Sequence, residues 1–150
     1  MAIITVENKK QLRKFVYFPK THYQSDPFWV PPIWFEEKTA YGKKKNPILA
    51  NSDFLICLAS RDNRIVGRNL VYIDHTHNNF YRRDIGFFGA FECINDVDVA
   101  RELLEFSENW LKKQGMESIR GPIDPVAEKW GFLHHGFDST PVFLSPYNPP

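Results

Sequence analysis

Hydrophobic and polar positions in the second half of the chain predict a strand, a helix and a second strand in direct succession. The apolar run at 85–94 is rich in aromatic residues and bounded by charge, which is typical of a buried central strand. Apolar residues then recur at helical spacing from 99 to 114, and Gly115 suits the position that ends a helix. Residues 119–123 predict a returning strand, and two strands joined through a helix usually pair in parallel.

The first half of the chain carries shorter patterns that predict a strand, two helices and a β-hairpin. These are a strand at 3–6, a helix that begins after Asn8 and ends or bends at Pro19, a helix at about 32–41, and strands at 54–59 and 65–73. The last two strands flank Asp62 and Asn63, which tolerate positive φ and therefore favour a tight turn. Together with the strand at 85–94 they predict an antiparallel meander.

Composition indicates a single globular domain over residues 1–150. Hydrophobic residues make up 43% of the chain, enough to bury a core, and the net charge is only +1. This balance gives no reason to expect nucleic acid or an anionic membrane as a partner, and the run Lys43–Lys45 is interpreted as a solvated loop. No apolar run approaches the ~20 residues of a membrane span, and the first residues lack a secretory signal, so we expect a cytoplasmic protein.

Cysteine and histidine residues offer only weak signals for chemistry. Cys57 and Cys93 lie in apolar, strand-like runs, which favours reduced core residues over reactive thiols or a disulfide. Asp74, His75 and His77 could hold a metal ion, but a two-residue histidine spacing in a polar stretch is a weak signal. An ordinary turn is the favoured interpretation of that segment.

An aromatic loop, defined here as residues 21–34, separates the first two predicted helices. It places Phe28, Trp29 and Trp34 among several prolines. These aromatic residues could line a ligand groove or cover the core as a lid. The lid is favoured, because aromatic side chains mostly contribute buried area.

The pattern loosens beyond residue 123. Glycines and prolines recur there, which predicts short strands and turns in place of long elements. The sequence stops at Pro149 and Pro150 without a closing element. We therefore interpret the sequence as one that is truncated at its C-terminus.

The order of strand, helix, helix, three antiparallel strands, helix and parallel strand resembles the GNAT superfamily of N-acetyltransferases. Four motifs look like those of a group of longer bacterial GNAT-like proteins: Gly86–Glu92, Arg120–Pro125, Gly131–Phe132 with Gly136–Asp138, and Pro146–Pro150. The resemblance implies an α/β (α+β) fold with a mixed, mostly antiparallel sheet and flanking helices, incomplete at its C-terminus. The missing closing elements imply an exposed apolar edge that pairs with a second copy or with further chain.

The same resemblance implies a site for acetyl-CoA or another acyl-CoA beside the strand at 85–94. The backbone of Phe91, Cys93 and Ile94 would pair with the pantetheine arm, and Asp98, Val99 and Ala100 would form the phosphate loop at the following helix N-terminus. The glycine-rich pattern of the superfamily is altered here, because Asp98 stands at its central glycine. A carboxylate at that position is expected to repel a pyrophosphate.

Catalytic roles also follow from the resemblance. Glu92 matches the glutamate that many members use as a general base, and Tyr147 lies near the place of the general-acid tyrosine. A glutamate at a strand end is more commonly solvated or salt-bridged. The implied function is an acyl-CoA-dependent N-acyltransferase that acts on a small-molecule or peptide amine. The alternative is a non-catalytic module that binds a ligand or partner through Phe28, Trp29 and Trp34.

Overall fold

A five-stranded sheet forms the centre of the protein in a computed structural model that describes residues 1–126, 129 and 131–142. Its strands, in spatial and chain order, are β1 (Ala2–Thr5), β2 (Ser52–Arg61), β3 (Arg64–Asp74), β4 (Ile85–Cys93) and β5 (Ser118–Arg120). Strands β1 to β4 pair antiparallel with their neighbours, whereas β4 and β5 pair in parallel. The predicted meander and the predicted parallel return are therefore confirmed.

Five helices occur in the described part of the chain. They are α1 (Lys9–His22), α2 (Trp34–Ala40), α3 (Pro47–Ala50), α4 (His75–Tyr81) and α5 (Val97–Lys113). Helix α1 begins after Asn8, as predicted, with a capping box that Asn8 forms with Gln11, but it continues through Pro19, where the sequence predicted an end or a bend. The buried face of this helix extends to Pro19, and burial of that face outweighs the backbone hydrogen bond that proline removes.

Helix α4 replaces the turn that the sequence predicted after β3. The Asp74 side chain accepts a hydrogen bond from the backbone N–H of His77 at 3.0 Å and so caps the helix. Arg82 ends it in the left-handed region, with φ of 52°. Its buried residue is the polar Asn78, whereas Phe80 and Tyr81 are exposed, so its ends rather than an apolar periodicity define the helix. The periodicity argument therefore missed it.

Two hydrophobic cores cover opposite faces of the sheet. Alternation along the strands sends Leu58 and Leu70 to one face and Cys57 and Val71 to the other. The first face packs against α1, α2 and α3 through residues that include Phe15, Val16, Tyr41 and Leu49. The second packs against α5 through Val99, Leu103 and Leu111. Helices thus flank the sheet on both sides, and none of the helices in the described residues is long and apolar enough to cross a membrane.

Both cysteines are free thiols, as predicted. Cys57 is fully buried, and burial raises the pKa of its thiol to about 12. Cys93 is half-buried, and burial also raises its pKa, so neither side chain is a thiolate at neutral pH.

Strands β4 and β5 separate after a short stretch of pairing. Their register ends at Phe87 and Arg120, although the sequence predicted a strand at 119–123. The chain then crosses close to β4, where the Ile123 N–H donates to the Phe88 carbonyl at 2.7 Å. Strand β4 also has an irregular register opposite β3 at this point, and Ala90 has a φ of 48°. The end of β4 therefore extends beyond its parallel partner.

Replacing Gly89 with alanine should separate β4 from the segment that follows β5. A Cβ at Gly89 would lie 2.7 Å from the Cα of Asp124 and would also meet the Ile123 carbonyl, so backbone must move. We expect a loss of about 1–3 kcal/mol in the free energy of unfolding, measured with urea. Gly42→Ala is the matched control because nothing lies within 4 Å of its added Cβ. Equal stability of the two variants would contradict this packing argument.

Candidate functional site

The open end of β4 is the part of the fold that could receive an extended ligand. Residues Phe91, Glu92 and Cys93 lie beyond the last residue pair that β4 forms with β5. The Ile94 N–H already donates to the Val66 carbonyl of β3 at 2.9 Å. Since neighbouring residues of a strand direct their backbone groups to opposite edges, the backbone of Cys93 faces the β5 side.

The structure brings Phe91 and Cys93 to this open edge but gives Ile94 a different environment. The Phe91 ring makes edge contacts with Phe88 and Phe132, each with 6.0 Å between ring centroids. The N–H of Ile94 is used inside the sheet, and its carbonyl accepts a hydrogen bond from the Asp96 N–H at 2.6 Å. Of the three residues predicted to bind a pantetheine arm, Ile94 is therefore the one whose N–H and carbonyl both have backbone partners already.

Glu92 forms a buried ion pair with Arg68 of β3. Arg68 Nε donates to Glu92 Oε2 at 2.8 Å, and another guanidinium nitrogen donates to the Phe15 carbonyl at 2.9 Å. The guanidinium also lies 4.9 Å from the centre of the Phe15 ring. Arg68 is only 4% exposed, so Glu92 is fixed by a cation that has almost no access to water.

Further polar and charged groups lie near this pair on the same face of the sheet. We call the whole set the buried acidic cluster. It consists of four acidic groups, Glu37, Tyr41, Glu92 and Asp124, and two cations, Arg68 and Lys129. The Tyr41 hydroxyl lies 3.2 Å from Glu37 Oε2 and 3.5 Å from Asp124 Oδ2. Asp124 also accepts a hydrogen bond from the Ala90 N–H, and Lys129 forms an ion pair with Glu37. Asp124 thus joins the irregular part of β4 to the cluster.

Burial and mutual repulsion perturb the ionisation of the cluster. Burial is the largest influence on Glu92 and Asp124 and raises the pKa of both carboxyls, while Arg68 opposes this rise. Burial also raises the pKa of Tyr41, which stays protonated. Burial alone would lower the pKa of Arg68, but Glu92 and the other anionic groups outweigh it and raise that pKa.

Asp124→Asn should reduce the pH dependence of stability. The folded-state pKa of Asp124 is raised, so the folded chain holds this proton to higher pH than the unfolded chain does. Stability therefore falls as pH rises above the unfolded value of about 4. Asparagine keeps an oxygen for the Ala90 N–H and cannot ionise. The variant should lose less stability than the wild type between about pH 5 and 7 in urea unfolding. Asp84→Asn, at an exposed position, is the control, and a steeper loss in Asp124→Asn would contradict the argument.

The N-terminus of α5 is already occupied by Asp96. Its Oδ1 accepts from the backbone N–H groups of Asp98 and Val99 at 2.9 and 3.4 Å, and its Oδ2 pairs with Arg61 at 2.8 Å. The hydrogen bond from Arg61 is the main reason that the pKa of Asp96 is lowered. Asp98 is exposed and pairs with Arg101. Val99 is fully buried and Ala100 half-buried.

The aromatic loop forms a continuous row of rings beside α1. The rings of Trp34 and Tyr17 stack at 4.9 Å, and Trp29 lies 6.4 Å from Trp34 and 6.1 Å from Tyr23. Phe28 and Trp29 are half-buried. The row therefore covers part of the core and also presents aromatic surface, so both functions weighed for this loop remain compatible with its position.

His22 extends the aromatic row at the end of α1. Its ring lies 4.5 Å from that of Tyr23 and 5.1 Å from that of Phe18. Burial lowers the pKa of His22, and the nearby backbone of Cys93 only partly offsets the decrease. The neutral imidazole therefore predominates at neutral pH.

Other predicted site residues lie elsewhere. His75 pairs with Asp53 at 2.9 Å, whereas the His77 ring packs 5.0 Å from that of Phe87. Among the described residues, no group of three or more His, Cys, Asp or Glu side chains could hold a metal ion. Tyr147 lies outside the described residues.

The resemblance drew attention to Glu92, but sequence reasoning missed the other members of the buried acidic cluster. Among those missed, Arg68 has a detectable signal, because it is a charge within the apolar run that predicted β3. Glu37 and Tyr41 are four residues apart at the end of α2, but Asp124 and Lys129 come from the segment after β5, and no local pattern brings these two pairs together.

Comparisons with known proteins identify relatives by sequence and, separately, solved structures of similar fold. No protein-family model matches the chain. Protein YghO of Escherichia coli is 35% identical over 97% of the chain, and a bacterial ceramide synthase of Caulobacter vibrioides is 30% identical over 99%. The chain spans only 37% and 39% of the lengths of these two proteins.

Solved structures of acetyltransferases have the same fold. A probable acetyltransferase aligns with a TM-score of 0.54 and 14% identity, covering 80% of this chain and 77% of its own. An aminoglycoside acetyltransferase from a soil metagenomic sample, in complex with sisomicin, aligns with a TM-score of 0.52 and 15% identity. The alignment covers 82% of this chain and 77% of the acetyltransferase. A GNAT-family acetyltransferase of Staphylococcus aureus aligns with a TM-score of 0.50 and 15% identity. The alignment covers 83% of this chain and 75% of the acetyltransferase.

Proposed function

We propose that this chain, which has the fold of the GNAT-family acetyltransferases, provides the acyl-donor side of an acyl-CoA-dependent N-acyltransferase. The open end of β4 carries the proposal. Strand β5 ends early, so the backbone of Cys93 faces an edge with no paired strand in the described residues. An extended arm with amide groups is the kind of ligand that pairs with such an edge.

Phe91 and Cys93 would hold the pantetheine arm of the donor at this edge. Acyl-CoA supplies the activated thioester when it is bound. The half-buried ring of Phe91 offers the arm an apolar contact, while Cys93 offers backbone groups. The α5 N-terminus fits less well, since Asp96 already accepts hydrogen bonds from the N–H groups of Asp98 and Val99. The phosphates would have to displace that carboxylate or lie outside it.

The acceptor in this proposal is an amine placed between β4 and the aromatic loop. The curated relative from Caulobacter is named as a ceramide synthase, and a ceramide is the amide of a long-chain amino alcohol. An acceptor of that class would place its amine near Cys93 and an apolar part against Phe28, Trp29 and Trp34. Glu92, which precedes Cys93 in β4, is the predicted general base, and Tyr147 stays the predicted general acid.

A non-catalytic module is the second candidate function. Asp96 occupies donors that a pyrophosphate would use, and this observation favours a lapsed cofactor site. Such a module would bind a ligand or partner through the aromatic loop, whose Trp29 ring is half-buried.

Release of free CoA thiol tests the proposed reaction. The protein would be mixed with acetyl-CoA or palmitoyl-CoA and an amine panel that includes sphinganine, a peptide amine and an aminoglycoside. Amine-dependent thiol release, with the matching amide detected by mass spectrometry, supports acyl transfer. Thiol release without an amine indicates hydrolysis only. Absence of both acyl-CoA binding and thiol release supports the non-catalytic alternative, whose cofactor site has lapsed.

A further inference from the structure

Two large apolar side chains are exposed at the start of α2. Ile33 is 65% exposed and Phe35 is 72% exposed, whereas Trp34 between them stacks on Tyr17. Single exposed apolar side chains are common in soluble proteins, but an apolar surface rimmed by polar residues marks a site of interaction with a protein or a membrane. The surroundings of Ile33 and Phe35 therefore decide what this surface binds.

Lysine side chains lie around these two residues. The Lys45 Nζ lies 5.6 Å from the centre of the Phe35 ring. Lys38 follows Phe35 by three residues on the exposed side of α2, and its Nζ lies 5.5 Å from the centre of the Tyr17 ring. We call this surface the basic apolar patch, which consists of Ile33, Phe35, Lys38, Lys43, Lys44 and Lys45. All six residues are exposed.

The lysine run is held beside α2 by Asn46, which is buried. The Asn46 side-chain nitrogen donates to the carbonyls of Ala40 and Pro125 at 2.7 and 2.8 Å. The side-chain oxygen accepts from the N–H groups of Ile48 and Leu49 at 2.9 and 3.0 Å. Because both ends of this amide are used, the backbone of the preceding lysines keeps a defined position next to the helix.

Charge is distributed unevenly along the chain. Residues 1–50 contain nine Lys and Arg and four Asp and Glu, whereas residues 51–150 contain ten and fourteen. Helix α1, which contacts α2 through Tyr17 and Trp34, carries five of the nine basic residues and no acidic one. The net charge of the whole chain predicted no anionic partner, but this average conceals a basic half that includes the patch.

We propose that the basic apolar patch binds the surface of an anionic phospholipid bilayer. The lysine ammonium groups would pair with lipid phosphates, while Ile33 and Phe35 would enter the boundary between headgroups and acyl chains. An aliphatic side chain such as Ile33 neither stacks on a nucleic-acid base nor pairs with a carboxylate, so its exposure favours lipid over nucleic acid or an acidic protein. Glu36 is exposed on the same helix, but the four lysines outweigh its charge. This inference goes beyond the proposed acyl transfer and does not depend on it.

The end of α4 provides a comparison surface with similar residue types. Phe80 is 78% exposed there, and the exposed Arg82 and Arg83 follow it. The exposed Asp84 comes next, so this surface has a smaller excess of positive charge than the basic apolar patch. Variants at α4 therefore control for the loss of an exposed aromatic or basic residue in itself.

Co-sedimentation with vesicles tests the role of the lysines. The chain should bind vesicles that contain phosphatidylglycerol but not vesicles of phosphatidylcholine alone, and binding should weaken as salt rises from about 0.1 M to about 1 M. The triple variant Lys43→Gln, Lys44→Gln and Lys45→Gln should lose about 100-fold in affinity, since each basic residue near an anionic surface contributes roughly a fivefold factor. The control variant Arg82→Gln with Arg83→Gln should bind as the wild type does.

The apolar residues are tested on the same vesicles. Ile33→Ser with Phe35→Ser should lower the affinity by about tenfold, whereas Phe80→Ser should not change it. A Phe35→Trp variant should gain fluorescence that brominated phospholipid quenches, because the side chain enters the lipid, and Phe80→Trp should show no such quenching. Urea midpoints equal to that of the wild type will establish that these variants fold.

Several results would overturn the inference. These are no binding to phosphatidylglycerol vesicles, equal binding to both kinds of vesicle, or loss of binding in the α4 variants alone. Binding of duplex DNA without binding of vesicles would assign the patch to a nucleic acid, and a dimer that dissociates in Ile33→Ser with Phe35→Ser would assign it to a second copy. A chain that binds vesicles but releases no CoA thiol with any amine would contradict the proposed function and support this inference.

Discussion

Arg68→Met should destabilise the protein by about 3–5 kcal/mol, because it leaves Glu92 as a buried carboxylate without its partner. The loss should appear as a lower urea midpoint at neutral pH with little change in slope. Two features of Arg68 add to it: the hydrogen bond to the Phe15 carbonyl and the contact of the guanidinium with the Phe15 ring. Arg64→Met is the control, since Arg64 is exposed at the start of the same strand.

The pH dependence of Arg68→Met provides a second check. Burial already raises the pKa of Glu92, and loss of the guanidinium raises it further. The folded variant therefore binds a proton that the unfolded chain releases above about pH 4, so part of the lost stability should return on acidification toward about pH 5. The double variant Arg68→Met with Glu92→Leu should regain much of the loss at pH 7. A double variant as unstable as the single one would show that the pair is not the cause.

The fold could be predicted from the sequence because its long elements carry strong periodicity. Strands β2, β3 and β4 are apolar runs bounded by turns or charge, and α5 has a regular apolar face with a capping residue at its start. The errors lie where periodicity is weak. Helix α4 depends on one capping side chain, and α3 has only four residues.

The chemistry of the site was less predictable, because its members meet through tertiary contacts. Arg68 and Glu92 are 24 residues apart, Tyr41 and Asp124 are 83 apart, and Glu37 and Lys129 are 92 apart. No local spacing encodes such pairs in a single sequence.

Tertiary contacts also change the interpretation of the α5 N-terminus, where the sequence predicted that Asp98 would repel a pyrophosphate. The structure places Asp98 on the surface with Arg101, whereas Asp96 accepts hydrogen bonds from the N–H groups of Asp98 and Val99. A bound pyrophosphate would need those same groups. Competition by Asp96 thus restricts the phosphate site more directly than repulsion by Asp98, whose charge is screened by solvent.

Asp96→Gly should therefore raise the affinity for acetyl-CoA by about tenfold or more, measured by titration calorimetry at low salt. Glycine is tolerated at a helix N-cap, so the helix should lose only a few tenths of a kcal/mol. The substitution frees two N–H groups and releases Arg61 to approach a phosphate. Asp98→Gly is the matched comparison and should give a smaller increase. A larger increase in Asp98→Gly would show that the altered glycine pattern, and not the cap, limits binding. No binding by the wild type or either variant would contradict the acyl-CoA site and favour the non-catalytic module.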